Sequence, residues 1–391
     1  MPALAQYSVG TRRIVPPEET LARVTPHLPV CGITRCTSVT GLDSLGIPTY
    51  CAIRPGGLLL QVSNGKGITD VAARVSALME AIELHHAEHP APERLRRTSL
   101  AQLRAEGAAV LPPADLEGFR GGYFGERFVC DWTAGESLTD GRTVWAPASA
   151  VYFFCTPGLF NTSTNGLASG NHRAEATLHA LYELIERDAA SRLSVDGQMQ
   201  IRDRARVVDP ASVDDSPLRT LFERIERAET HAVLMWLPSA IGLHTFWAVL
   251  LNRRPLASVS TLNIGWGTHV DKRIAASRAL TEAAQSRLVF IHGAREDLLT
   301  KEVYHARQQP GESRAFRYFD GLRPSTRWPE LDGFATLPIE ADLERQEGRV
   351  VAELTRAGHD RLVRFDLTDP ALGIPVVKVL APSLRFNARL F

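Results

Sequence analysis

The sequence predicts an α+β fold in which helices pack on mixed or antiparallel sheets, with subdomains gathered around one site. Three observations predict this class. Three long helical patterns lie along the chain, apolar strand-like runs lie between them, and the two kinds of segment follow each other irregularly instead of in regular βα pairs. A chain of 391 residues is also long enough to bury a large core.

The three helical patterns each follow a glycine-containing segment that we expect to be a loop. The helices are predicted over 71–89, 173–193 and 272–291, and the segments before them read SNGKGITD, TSTNGLASGNH and NIGWGTHVD. Each segment offers a side chain that can accept a hydrogen bond from the first helical turn. These N-cap candidates are Thr69, Asn171 and Asp271.

Strands are predicted in the apolar runs between and after these helices. The segment 143–154 reads as one strand, and 233–251 reads as two strands joined by a turn, because Pro238 and Gly242 interrupt it. The same interruption argues against a membrane span. The segment 348–380 reads as a helix, a strand, a turn and a final strand.

The predicted domain organisation is simple. We expect residues 1–30 to form an N-terminal extension and residues 31–391 to form one domain. Two stretches rich in Pro, Arg and Glu, about 88–125 and 296–345, are expected to be peripheral insertions of loops and short helices.

The composition excludes some classes of function. Lys plus Arg and Asp plus Glu both total 44, and a chain without a basic excess is a poor candidate for nucleic-acid binding. The five cysteines form no CxxC pair, and the first residues lack the apolar core of a secretory signal. We therefore expect a cytoplasmic protein that binds neither nucleic acid nor membrane.

The helical patterns share a repeated motif that concentrates carboxylates. ALMEAIE (77–83), ALYELIE (180–186) and ALTEAAQ (279–285) place acidic or amide side chains three residues apart, hence on one helix face. Such a pair is usually only the polar edge of a helix. Here three copies, with Glu175 two turns before Glu183, would bring like charges together beside apolar residues, and these charges repel unless a cation compensates them. Magnesium, which prefers oxygen ligands, is the natural candidate.

Basic side chains near the repeats indicate a phosphate-bearing ligand. Arg187 follows the second repeat directly, Arg278 precedes Glu282 by one turn, and Lys66 lies in SNGKG. Arginines among carboxylates suit anionic oxygens shared with metal ions, and glycine segments before helices can supply backbone N–H groups. The GxxxxGK[ST] spacing of a P-loop is absent. The spacing therefore predicts a magnesium–nucleotide site of a different kind.

Four blocks of sequence resemble the YcaO family in the right order. They are SNGKGITDVAARVSALMEAIE, NGLASGNHRAEATLHALYELIERDA, GWGTHVDKRIAASRALTEAAQSR and DLTDPALGIPVVKVLAP, and the similarity runs from about residue 30 to 383. The resemblance implies a YcaO-type ATP-binding α+β fold over 31–391. It also implies use of ATP and Mg²⁺ to phosphorylate a backbone amide oxygen of a ribosomally made precursor peptide.

The resemblance also assigns roles by position. Magnesium-linked carboxylates are implied at Glu80, Glu83, Glu175, Glu183, Glu186 and Glu282. Nucleotide or phosphate contacts are implied at Lys66, Ser76, Asn171, Arg187, Arg278 and Gln285. Of these residues, Glu183, Glu186, Arg187 and Gln285 are the expected catalytic set.

The resemblance leaves the product open. A neighbouring side chain would give an azoline, an amine an amidine, and external sulfide a thioamide. The chain is similar to stand-alone branches, including TfuA-associated and bottromycin-type enzymes, which implies a precursor peptide, a TfuA-like or leader-binding partner protein and a homodimer as partners. Two departures weigh against an ordinary fused cyclodehydratase: the chain ends APSLRFNARLF without a PxPxP tail, and no leader-binding domain precedes the first block. A third departure is Leu84, where many relatives carry Arg.

Two other classes of function stay open from the sequence. One is a non-catalytic accessory protein that binds nucleotide or a partner. The other is a ligase that uses MgATP but releases AMP.

Overall fold

The computed structural model describes residues 3–195, 198–253, 262–295, 313–334 and 337–387. The fold is α+β, as predicted. Within these ranges the α-helices are α1 (Pro17–Val24), α2 (Asp70–Glu88), α3 (Leu100–Ala105), α4 (Arg173–Ser191), α5 (Ile201–Arg204), α6 (Ser216–Arg227), α7 (Lys272–His292), α8 (Ser313–Asp320) and α9 (Leu343–Arg356).

The strands of the described ranges form four sheets. An antiparallel three-stranded sheet contains β1 (Arg35–Ser38), β2 (Thr49–Ile53) and β3 (Val62–Lys66). The largest sheet contains β4 (Leu95–Ser99), β5 (Ala109–Val110), β6 (Val129–Ser137), β7 (Thr143–Pro147), β8 (Leu167–Ser169), β15 (Val363–Asp366) and β16 (Val376–Leu380). An antiparallel four-stranded sheet contains β11 (Arg206–Val207), β12 (Thr230–Leu237), β13 (His244–Asn252) and β14 (Leu262–His269). A short hairpin contains β9 (Ser194–Val195) and β10 (Gln198–Met199).

The three predicted long helices are confirmed. The segments predicted as loops before α2 and α7 contain strands, whereas the segment 162–172 before α4 is irregular apart from the short β8. β3 leads into α2, β8 into α4, and β14 into α7. Their glycines let a helix lie directly on a strand: a Cβ added to Gly65 would come within 2.0 Å of the backbone nitrogen of Ala77, and one on Gly265 within 2.2 Å of that of Ala283. Gly65 and Gly265 therefore serve close packing of strand and helix, and the loops expected before α2 and α7 are largely replaced by strands.

Two of the three predicted N-caps are confirmed. The Thr69 hydroxyl accepts a hydrogen bond from the Ala72 N–H, and the Asp271 carboxylate accepts one from the N–H of Arg273. The assignment of Asn171 is wrong. Because α4 begins at Arg173, the N-cap residue is His172, whose ring accepts a hydrogen bond from the Ala174 N–H.

Other sequence expectations are met in part. The two strands in 233–251 are β12 and β13, and 348–380 holds the end of α9 followed by β15 and β16. The segment 88–125, which we expected to be peripheral, carries both strand and core residues. It contributes β4 and β5 to the largest sheet and buries Leu100, Leu103 and Leu111 in the core, because apolar residues alternate with its charged ones. Much of the other expected insertion, 296–312 and 335–336, lies outside the described residues.

The N-terminal extension packs against the rest of the chain. A bridge pairs Leu4 with Asp342, and α1 lies against α2. The Arg23 guanidinium donates hydrogen bonds to the carbonyl oxygens of Asn171 and Gly373. In the described ranges, no helix is long and apolar enough to cross a membrane.

Candidate active site

A cavity of about 750 Å³ lies between α2, α4, α7, β3 and the N-terminal segment. All twelve residues that the sequence analysis selected line it. They are Lys66, Ser76, Glu80, Glu83, Asn171, Glu175, Glu183, Glu186, Arg187, Arg278, Glu282 and Gln285. The three repeats therefore contribute three walls of one cavity, although they lie about a hundred residues apart in sequence.

The first and third repeats meet across β3. The Lys66 ammonium lies 2.5 Å from Oε2 of Glu282, and Oε1 of Glu282 accepts a hydrogen bond from the Trp266 N–H at 3.3 Å. Oε2 of Glu80 accepts one from the Asn64 N–H at 3.2 Å. Burial alone would raise the pKa of Glu282, but Lys66 and nearby arginines outweigh it and lower that pKa. Burial raises the pKa of Glu80.

Glu83 joins the first repeat to the second. Its Oε1 accepts hydrogen bonds from the N–H and the hydroxyl of Ser169, at 2.8 and 2.6 Å. Burial nevertheless raises the pKa of Glu83, and with smaller contributions from the neighbouring Glu80 and Glu183 this pKa reaches about 8. This carboxyl is therefore poised to exchange its proton for a metal cation.

The second repeat contributes two carboxylates whose nearby cations do not offset the effect of burial on their pKa values. Arg187 Nη2 lies 3.7 Å from Oε1 of Glu183, a loose contact compared with the usual charge-assisted hydrogen bond. Burial and the neighbouring Glu282 raise the pKa of Glu186 to about 7. Burial also raises the pKa of Glu183.

Glu175 is held differently from the other glutamates. Its Oε1 accepts hydrogen bonds from Arg13 Nη1 and from both N–H groups of Asn171, and its Oε2 accepts one from the Ile14 N–H, at distances of 3.0–3.2 Å. Three of these donors share Oε1 and one binds Oε2, so most of the accepting capacity of this carboxylate is used by the protein. In this structure Glu175 and Asn171 anchor the N-terminal segment to the start of α4.

Sequence reasoning missed two residues of the site. Arg13 Nη2 lies 3.1 Å from Nδ1 of His179, and Arg278 Nη2 lies 3.4 Å from its Nε2. Burial, together with both arginines, lowers the pKa of His179 far below its usual range, so the ring is neutral. The signal for His179 was its spacing, four residues after Glu175 and four before Glu183 on one helix face. Arg13 lies far from every repeat and gave no such signal.

The arrangement suits a divalent cation that shares its ligands with phosphate. In the described residues, no three His, Cys, Asp or Glu side chains already form a metal site. Magnesium usually takes only one or two carboxylates, with water and substrate phosphates completing its shell. Burial raises the pKa values of Glu80, Glu83, Glu183 and Glu186, and a cation bound among them would favour their charged forms. The donor set therefore fits magnesium.

Comparison with known proteins identifies the family. Residues 64–385 match the family model described as YcaO cyclodehydratase, ATP- and Mg²⁺-binding. Because this match covers most of the chain, the protein belongs to the YcaO family, and the predicted resemblance is confirmed. Membership makes it an ATP-dependent enzyme in the broad sense, with ATP and Mg²⁺ as its cofactors, as the sequence predicted.

Relatives and solved structures agree with this assignment. The chain is 36% identical to an uncharacterized protein of Mycobacterium tuberculosis over 99% of its own length and 85% of the relative's. It is 34% identical to an uncharacterized protein in the tfuA 3′ region of Rhizobium leguminosarum bv. trifolii, over 96% of this chain and 89% of the relative. The YcaO of Methanopyrus kandleri bound with AMPPCP and Mg²⁺ superposes with a TM-score of 0.77 at 26% identity, covering 98% of this chain and 95% of that one. A heterocyclase in complex with substrate and cofactor shares the fold, with a TM-score of 0.79 at 23% identity, over 100% of this chain and 55% of that one.

Proposed function

We propose that this protein activates a backbone amide of a ribosomally synthesised precursor peptide by phosphorylating the amide oxygen with ATP. The observation that carries the proposal is the convergence of six glutamates, Lys66, Arg187 and Arg278 on one cavity. A bond forms between the amide oxygen and the γ-phosphorus, and the bond from that phosphorus to the β-phosphate oxygen breaks, releasing ADP. A nucleophile then attacks the activated carbon, and phosphate leaves with the former amide oxygen.

The side chains of the cavity serve this reaction by position and charge. Glu80, Glu83, Glu183, Glu186 and Glu282 are the residues that would hold magnesium, which supplies positive charge to the transferring phosphoryl group when bound. Lys66, Arg187 and Arg278 would bind phosphate oxygens. Since amide resonance makes the carbon a poor electrophile, the chemistry depends on making the oxygen a good leaving group.

The neutral His179 and the anchored Glu175 have a supporting role in this proposal. Arg13 and Arg278 lie on opposite nitrogens of the His179 ring. A neutral ring accepts a hydrogen bond at only one of these nitrogens, so it can bond one guanidinium group and separates it from the other without adding charge. We assign Glu175 to anchoring the N-terminal segment over the site, in place of the metal-ligand role that the resemblance implies.

The nucleophile is expected to come from outside this chain. No cysteine is among the described residues that line the cavity, and burial raises the pKa of Cys31, Cys36, Cys130 and Cys155 to about 11. A side chain of the peptide would give an azoline, an amine an amidine and sulfide a thioamide. The relative from the tfuA 3′ region supports a TfuA-like partner protein.

The test combines the purified protein, MgATP and a synthetic copy of a short precursor peptide encoded beside the gene. Mass spectrometry should show loss of one water for an azoline or amidine, or exchange of oxygen for sulfur when sulfide and a TfuA-like partner are supplied. A peptide labelled with ¹⁸O at the reacting amide should transfer the label to the released phosphate, with ADP as the other product.

A matched variant controls for the loss of a buried carboxylate. Glu347 on α9 also has its pKa raised to about 7 by burial, but Arg364 bonds it at 2.8 Å and it lies outside the cavity. Glu186→Gln should abolish ADP formation, whereas Glu347→Gln should retain it. Nucleotide binding without turnover in the presence of every neighbouring gene product would instead indicate an accessory protein, and release of AMP would indicate a ligase.

A further inference from the structure

Two residues that line the cavity each carry a buried polar atom with no hydrogen-bond partner within the described part of the chain. These atoms are Nδ2 of Asn64 and Oε1 of Gln285. Asn64 is only 2% exposed. An unpaired buried donor or acceptor costs about 1–3 kcal/mol, so such a pair is expected where a ligand satisfies both atoms.

The hydrogen-bond network fixes which atom is the donor and which the acceptor. The Ala294 N–H donates to Nδ1 of His292 at 3.2 Å, so the proton of this ring lies on Nε2. That Nε2–H donates to Oδ1 of Asn64 at 3.0 Å, which turns Nδ2 of Asn64 away as a free donor. Nε2 of Gln285 donates to the Asn64 carbonyl oxygen at 3.0 Å, which leaves its Oε1 as a free acceptor.

The pair is attached to two of the carboxylates that would hold magnesium in the proposed function. The backbone N–H of Asn64 donates to Glu80, and Gln285 lies one helical turn after Glu282. Beyond the pair, the cavity wall turns apolar with Val289, and Phe290 is 38% exposed.

We infer that Asn64 and Gln285 position the peptide backbone at the reacting amide, with Oε1 of Gln285 accepting its N–H and Nδ2 of Asn64 donating to an adjacent carbonyl oxygen. The inference rests on the proposed function and names how its substrate is held. Phosphorylation of the amide oxygen draws electrons from the amide nitrogen, and the N–H stays in place with a growing positive charge. The hydrogen bond to Gln285 therefore strengthens in the transition state, which lowers the barrier. Recognition of backbone atoms also leaves the peptide side chains free to vary.

The test separates peptide positioning from nucleotide binding. Gln285→Met keeps the size of the side chain and removes the acceptor. We expect its kcat for modification of the synthetic precursor peptide to fall by about 100-fold, with a smaller change in the peptide KM, as for loss of one preorganised group. Calorimetric affinity for MgAMPPCP should be unchanged.

His292 gives a second variant that does not touch the ligand. His292→Phe removes the donor that orients Asn64, and we expect kcat/KM for the peptide to fall by about tenfold. His292→Gln, which can still donate to Asn64, should restore most of the loss. The matched control is Asn263→Ala on β14: Asn263 is also 2% exposed with an unpaired amide, but it lies outside the cavity, so peptide kinetics should not change.

Three results would overturn the inference. Unchanged peptide kinetics in Gln285→Met and His292→Phe would show that the pair has no part in positioning. A weakened MgAMPPCP affinity, or a changed preference between MgAMPPCP and its guanosine counterpart MgGMPPCP, would assign the pair to the nucleotide. A wild-type protein that binds MgAMPPCP but modifies no peptide would overturn the proposed function and the inference with it.

Discussion

Buried carboxylates in this protein occur in two settings that differ in how their charge is balanced. Outside the cavity, Glu88 accepts two hydrogen bonds from Arg54 at 2.7–2.8 Å and two more from backbone N–H groups, and Arg287 bonds Asp43 at 2.8 Å. Inside the cavity, Glu183 has Arg187 only at 3.7 Å, and Glu186 has a raised pKa.

The difference separates structural carboxylates from those available to a ligand. A buried ion pair whose members satisfy each other has no capacity left for a metal. The glutamates of the cavity repel each other, and their burial is unfavourable in the folded state. We expect this arrangement where a bound cation, shared with phosphates, balances their charge. The comparison yields four predictions.

Removing the cation from a structural pair should have the largest effect on stability. Arg54→Met leaves Glu88 buried and uncompensated, and we expect the free energy of unfolding to fall by about 3–5 kcal/mol. Denaturant titration measures this. The protein that remains folded should bind MgAMPPCP with unchanged affinity. A parallel loss of affinity would contradict the distinction between structural carboxylates and those of the cavity.

Removing charge from the cavity should leave stability intact and weaken the binding of MgAMPPCP. Glu183→Gln combined with Glu186→Gln relieves repulsion, so the nucleotide-free protein should be at least as stable as the wild type. Its affinity for MgAMPPCP should fall by at least about 30-fold, since charge compensation of the metal is lost. Calorimetry and thermal melts test both parts, and a large loss of stability would place these glutamates among the structural ones.

The stability of the nucleotide-free protein should fall as the pH rises. Burial raises the pKa of Glu83 to about 8 and that of Glu186 to about 7, whereas glutamate in an unfolded chain titrates near about 4.3. Between the pKa of the unfolded chain and those of the folded protein, the folded state therefore binds more protons than the unfolded state. The free energy of unfolding falls progressively as the pH rises through that window. Thermal melts should show this trend in the wild type and a weaker one in Glu83→Gln. MgAMPPCP should stabilise the protein more at about pH 8 than at about pH 6, because fewer protons must leave.

Removing an exposed ion pair should have the smallest effect on the free energy of unfolding. Arg97 Nη1 lies 3.5 Å from Asp131, and the Arg97 side chain is 65% exposed. Arg97→Gln should change the free energy of unfolding by less than about 1 kcal/mol and leave nucleotide affinity unchanged. A larger effect in denaturant titration would contradict the distinction between compensated buried pairs and surface pairs.

Much of the site could be predicted from the sequence because helix periodicity determines which side chains lie on the same face of a helix. Residues three or four apart point together, so the repeats placed Glu80 beside Glu83 and Glu183 beside Glu186 before any tertiary information. Family resemblance then indicated that the three faces converge. Periodicity could not show the orientation of Glu175, which depends on Arg13 and Ile14 from the N-terminal segment, more than 150 residues away.

The prediction of loops before α2 and α7 failed for a physical reason. Gly65 and Gly265 look like loop residues because glycine is unfavourable in strands, but here a helix backbone lies where a side chain would be. Local propensity contains no information about that neighbour. The His292–Asn64–Gln285 network was also beyond prediction, since its members come from β3 and from two turns of α7.

One diffraction experiment tests the central claim most directly. Crystals grown with AMPPCP and Mn²⁺, which takes the oxygen ligands of Mg²⁺ and scatters anomalously, would locate the cation. We predict anomalous peaks in the cavity, with the ion within about 2.2 Å of carboxylate oxygens from at least two of α2, α4 and α7 and bonded to phosphate oxygens. Cations bound elsewhere, with Glu80, Glu183, Glu186 and Glu282 free of both metal and phosphate, would contradict the account.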